Sequence, residues 1–215
     1  MDSAVKYFEN IWIEPPMDRI LYRLGYKKTK TKLEKDQKEQ IEELIWEGVS
    51  HCHPKGAFLI LPITERTCHS ITIGRHLVKS KSLAELLKNS ETAALMASTI
   101  GDEMIHAIED EIKKENSVKA VIFDSTASQM ADKTVAWVMD FINKTLQKEG
   151  KALTSMRYSP GYGDLDLRYQ KIFFEELKLE KLGISLTKSY MMTPEKSVTA
   201  ICGVENRIRR EERNE

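Results

Sequence analysis

Arg157-Tyr158-Ser159-Pro160-Gly161-Tyr162-Gly163-Asp164 sets a guanidinium, a turn former, a residue without a side chain and an aromatic ring in one short run. Pro160 fixes φ near the turn value and Gly161 accepts φ > 0, so the backbone bends sharply and leaves room for a ligand to approach it. Arg157 stands just before the bend, at the end of residues 152–158, which read as a strand. Its planar fork suits a carboxylate through two parallel charge-assisted bonds, and the face of Tyr162 suits a cation or a purine. A small ligand carrying a carboxylate, a positive centre and a base matches this set. A plain strand-to-helix turn with a surface arginine matches the same spacing, because Pro-Gly marks any turn.

On the C-terminal side, Asp164 or Asp166 is placed to cap a helix bearing Tyr169, Ile172, Phe173 and Leu177, which ends near Gly183. Residues 184–189 and 197–204 read as strands around a turn at Thr193-Pro194-Glu195. On the N-terminal side, residues 127–146 are the longest helical pattern, with Met130, Thr134, Val138, Phe141, Ile142 and Thr145 near one stripe and Gly150 at its end. Residues 118–123 form a short β-branched run that fits a strand or a helix equally.

Further out, Met17, Ile20, Leu21 and Leu24 follow Pro15-Pro16 at helical spacing, and a second amphipathic helix covers residues 33–49 after a basic connector at 27–32. Residues 57–63 and 68–74 predict a hairpin, and residues 92–100, apolar and small, a strand buried on both faces. Ser80 or Ser82 is placed to cap a short helix with Leu83, Leu86 and Leu87 inward. A helix from Gly101-Asp102 carries Met104, Ile105, Ile108 and Ile112 on one face, with the acidic run 109–111 on its solvated side. His51, Cys52, His53, Cys68 and His69 lack metal-ligand spacing, and no metal is expected. Strands in clusters, broken by helices without strict alternation, predict an α+β fold with a largely antiparallel sheet.

The 215 residues fit one domain over residues 1–204, helical to about residue 50, followed by a charged tail at 205–215. Thirty-three basic and 33 acidic residues cancel, so no global field draws nucleic acid or a membrane surface. The N-terminus lacks the order of a signal peptide, no apolar run reaches membrane-span length, and three unpaired-looking cysteines suit a reducing compartment. These features predict a cytoplasmic protein.

Arg157-x-x-Pro160-Gly161-Tyr162, then Ile184-Ser-Leu-Thr-Lys-Ser189, Met192-x-Pro194 and Ser197-Val-Thr-Ala200, resemble the activation domain of vitamin B12-dependent methionine synthase, from about Ala131 to Val204. The resemblance implies a single curved domain around a twisted antiparallel sheet. It implies S-adenosylmethionine bound by Arg157, Ser159, Pro160, Gly161 and Tyr162, with the guanidinium on the methionine carboxylate and Ser159 giving backbone bonds to the adenine end. Asp132 and Met192 are then candidates to face the partner and its cobalamin. In that family the domain presents the methyl of S-adenosylmethionine to reduced cobalt. Such a transfer needs alignment and exclusion of water, so no catalytic nucleophile or acid–base pair is expected. The chain would act as a free-standing reactivation subunit. Its partners would be a cobalamin-binding methionine synthase protein without its own activation domain and a flavodoxin-like reductant. The alternatives are an activator of another corrinoid methyltransferase and a binding module without chemistry.

Overall fold

A computed structural model describes residues 4–27, 31 and 34–206. Most of the basic connector and the tail from residue 207 lie outside the described residues. The chain opens with β1 (Lys6–Phe8) and α1 (Met17–Arg23). The carbonyls of Pro15 and Pro16 accept the first bonds of α1 from Met17, Arg19 and Ile20. Helix α2 (Lys35–Ser50) leads to the antiparallel run β2 (Lys55–Arg66), β3 (Ser70–Ile73) and β4 (His76–Lys79). Ser80, rather than Ser82, caps α3 (Lys81–Leu86): its Oγ accepts from Leu83 N–H at 3.0 Å. After β5 (Thr92–Thr99) come α4 (Glu103–Lys113), the long α5 (Ser117–Gln147) and β6 (Lys151–Leu153). A 3₁₀ turn (Leu167–Tyr169) enters α6 (Gln170–Leu177), and a second one (Leu179–Leu182) follows. A small separate hairpin of β7 (Ser185–Leu186) and β8 (Met192–Thr193) precedes β9 (Ser197–Asn206).

The main sheet has the order β4-β3-β2-β5-β9-β6, with β1 also on β2, and its described pairings are antiparallel. Strand β5 lies at its centre, with Leu95 opposite Leu59 on one side and Ile201 on the other. Alternation sends Ala94 and Met96 into the core beneath Met130, Val138 and Ile142 of α5. Ala93, Leu95 and Ala97 enter the opposite core, with Leu83 of α3 and Phe173 and Leu177 of α6. Helices α1 and α2 add a smaller third cluster, in which Ile20, Leu21 and Ile45 meet Ile122 of α5. The class is α+β, as expected.

One open local reading is settled and several expectations are corrected. Residues 118–123 are helical: α5 begins at Ser117, the Asn116 side chain caps it, and Phe123, Ala127 and Met130 are buried at i, i+4 and i+7. The strand expected over 152–158 is split. Thr154 still bonds Gly203, the chain then bends, and Tyr158 rejoins β9 through reciprocal bonds with Ile201 of 2.9 and 2.8 Å. In 184–189 only Ser185 and Leu186 are extended, because Thr187 turns the chain by accepting from Tyr190 N–H on its carbonyl and Met191 N–H on its hydroxyl. Strand β9 continues through Glu205 and Asn206, two residues into the stretch read as tail. On α4, Glu111 is buried and accepts from Lys114 and Asn116 at 3.0 Å each, whereas Ile112 is 61% exposed. The reversal from α4 into α5 produces that rotation, since it brings Lys119 of α5 to 3.7 Å from the same carboxylate.

Candidate functional site

The loop after Tyr158 is held from three directions. Gly161 adopts φ 92° and donates its N–H to Leu165 O at 2.7 Å, which closes the turn behind buried Pro160. Gly163 adopts φ 53° directly against the Tyr158 hydroxyl. Asp164, expected to cap the next helix, instead caps an earlier one: it accepts from Ser80 Oγ at 2.7 Å and from the Lys81 and Ser82 amides at 2.6 and 3.2 Å. Those bonds, the Ser80 hydroxyl foremost, draw its carboxyl down to about 2. Asp166 caps the 3₁₀ turn through Arg168 N–H.

Between this loop, α5 and β9 lies a cavity of about 560 Å³, within the range of small-ligand sites. Arg157, Ser159, Pro160 and Tyr162 line it from the loop, Asp132 from α5, and Met192 from the small hairpin. Six of the seven residues singled out from the sequence therefore converge. Gly161 is the exception: its amide is already used by Leu165, and a Cβ placed there would meet Leu167. What it contributes to the cavity is the bend of the loop.

Ser159 anchors the loop through its side chain. Its Oγ donates to Thr199 O at 2.6 Å, and its carbonyl accepts from Tyr162 N–H at 3.2 Å, so it pins the loop to β9. Thr199 in turn donates to Gln170 Oε1 at 2.6 Å, which brings the first residue of α6 into the wall. Ser197, Thr199 and Gln170 are wall residues that sequence reasoning missed. The signal available was the alternation Ser197-Val198-Thr199-Ala200, polar at every second position of an otherwise apolar strand.

Electrostatically the cavity is organised by α5. Asp132 pairs with Arg157 Nη2 through Oδ1 and with Arg19 Nη1 of α1 through Oδ2 at 3.5 Å. Two turns earlier, Asp124 pairs with Lys196 at 2.6 Å and Arg23 at 3.7 Å, while Ser128 accepts from Lys196 at 3.0 Å. The other terminal nitrogen of Arg157 has a weak acceptor, Met139 Sδ, at 3.9 Å. Tyr162 is 70% exposed, its ring standing at the mouth of the cavity.

Elsewhere, His51 and His53 share Glu103 across its two oxygens at 3.0 and 2.6 Å. These bonds hold the Glu103 carboxyl below its ordinary range.

No protein-family model matches the chain, and no curated protein matches it in sequence. A solved structure of the MetH reactivation domain bound to AdoHcy aligns over 93% of this chain and 78% of its own, with a TM-score of 0.68 and 12% identity. The fold is that of a reactivation domain. At this identity the likeness is one of architecture: the same sheet and helices accommodate sequences that agree at few positions.

Proposed function

We propose that this chain binds S-adenosylmethionine in the cavity beneath the Arg157 to Tyr162 loop and supports reductive remethylation of a cobalamin held by a separate protein. The observation that carries the reading is the placement of Arg157, on a loop pinned to β9 and to α3, with its guanidinium in the wall of a cavity of about 560 Å³. The donors present fit the ligand. A guanidinium serves the amino-acid carboxylate. An exposed aromatic ring at the mouth serves the sulfonium or the base. The carboxamide nitrogen of Gln170, whose oxygen is taken by Thr199, serves the nucleoside. A protein of the same fold was solved with AdoHcy bound.

The ligand supplies the methyl group, and the protein supplies alignment. Arg157 fixes one end of the ligand, Pro160 and the Gly161 bend set the height of the loop, and Tyr162 shields the mouth from water. Met192, also in the wall, belongs to the face on which a cobalamin protein would dock, and a flavodoxin-like reductant would deliver the electron. Among the described residues no helix is long and apolar enough to cross a membrane.

Titration calorimetry with S-adenosylmethionine, alone and with a cobalamin protein present, tests the reading. Binding is expected, with Arg157→Ala weakening it by about 1.5–3 kcal/mol, the worth of a charged hydrogen bond. No heat from the wild type, or full affinity in Arg157→Ala, overturns the site. A saturated complex that fails to remethylate the reduced cobalamin of its partner overturns the reactivation role while leaving the site.

A further inference from the structure

The pairing of Arg157 with Asp132 carries an inference that deepens this reading and rests on it. Both residues line the cavity, one from the loop and one from α5, so the ion pair forms part of the wall. An α-amino acid carries its carboxylate and ammonium on one carbon, side by side and opposite in sign. Laid against an exposed guanidinium–carboxylate pair, that end group meets a complementary set: its carboxylate faces Arg157 and its ammonium faces Asp132. The geometry points to Asp132 as the residue that reads the α-ammonium of the ligand, making the pair a receptor for a zwitterion.

Three features support the assignment. The side chains of Arg157 and Asp132 are 29% and 41% exposed, so their mutual attraction is weakened by solvent and realigning them costs little. Arg157 Nη1, whose acceptor is the thioether of Met139, keeps donor capacity for a ligand oxygen. Asp132 is also flanked by Arg19, so two guanidinium groups meet at one carboxylate. A ligand with a sulfonium and an ammonium would face those cations alone if Asp132 swung away. The carboxylate must therefore stay with the ligand rather than vacate the site for it.

The test compares two ligands and two proteins by calorimetry. Desamino-S-adenosylmethionine keeps the carboxylate, sulfonium and adenosine and lacks only the ammonium. Wild type is expected to prefer S-adenosylmethionine by about tenfold, the weight of one charge-assisted bond. In Asp132→Asn that preference should vanish, through loss of affinity for S-adenosylmethionine with none for the desamino compound. Asp132→Glu, which keeps the charge, should retain it. A tighter grip on S-adenosylmethionine by Asp132→Asn would make Asp132 a plug that competes for Arg157, and equal loss for both ligands would make it structural; either result overturns the assignment. If Asp132→Asn does not fold, Asp132→Ser takes its place and is read by the same loss or retention of preference. Wild type binding both ligands equally removes Asp132 and leaves the functional reading, whereas wild type binding neither overturns that reading and this assignment with it.

Discussion

Gly163 shows how tightly the loop is built at single positions. Its φ of 53° disfavours any side chain, and a Cβ there would collide with the Tyr158 hydroxyl oxygen. Gly163→Ala should lower stability by about 1–3 kcal/mol in urea unfolding, the cost of combined backbone strain and displacement of Tyr158. At Gly161 the contact with Leu167 Cδ1 is a looser 3.2 Å, at the end of a flexible side chain. The cysteines divide in the same positional way. Burial pushes the Cys52 thiol up to about 12 and the Cys202 thiol to about 11, whereas Cys68 is exposed. An aromatic disulfide reagent at pH 8 should therefore modify one thiol rapidly in the folded protein and all three after denaturation. The special role of Arg157, Pro160 and Gly161 was legible in the sequence because it depends on bonded neighbours. The partner of Arg157 was not, because Asp132 lies 25 residues away on another element.

Among the elements, the joint between the loop and α3 decides how firmly the cavity wall stands. Ser80 serves both sides, accepting from Leu83 N–H and donating to Asp164. Ser80→Ala removes the cap and leaves Asp164 with two amides, so a loss of roughly 1–2 kcal/mol is expected in denaturant unfolding. The pH dependence has a definite sign. The Asp164 carboxyl is depressed to about 2 in the folded protein, against about 3.9 for a free aspartate, so its contribution is complete above the unfolded value. It is lost as pH falls from about 4 toward about 2, because the unfolded chain takes up the proton first. Asp164→Asn should flatten stability against pH in that window, as read from thermal unfolding midpoints. Local rules pointed Asp164 at the helix that follows it, and the residue type was right for a cap. The helix it serves comes 83 residues earlier, counted from Lys81, and no local rule reaches that far. Residues 118–123 were ambiguous for a related reason: a short apolar run carries too few turns for its period to emerge, and packing against α2 and α4 settles it.

For the whole molecule, β5 is the strand that both layers share. Leu95 and Met96 are adjacent, fully buried, and belong to opposite cores, one under α6 and one under α5. Leu95→Ala and Met96→Ala should each cost about 2–5 kcal/mol, since neither core can collapse around the missing side chain without moving the central strand. Because one strand serves both cores, each variant should still unfold in a single transition, with fluorescence and circular dichroism midpoints coinciding. Separate transitions for the two probes would show that the layers are independent. This arrangement also accounts for an architecture kept at 12% identity, because burial on both faces constrains the pattern of apolar positions far more than the residues that fill them.

The sequence by itself determined what depends on near neighbours. That includes the bend at Pro160 and Gly161, the helical stripes of α1, α2 and α5, the doubly buried character of β5 and the α+β class. Each follows from backbone sterics or a periodicity visible within one segment. Tertiary structure decided which segments meet: Asp132 on Arg157, Asp164 on α3, Gln170 on Thr199, and the rotation of α4 that buries Glu111. Those contacts join residues far apart in the chain, and only the packing of helices onto both faces of one sheet brings them within bonding distance.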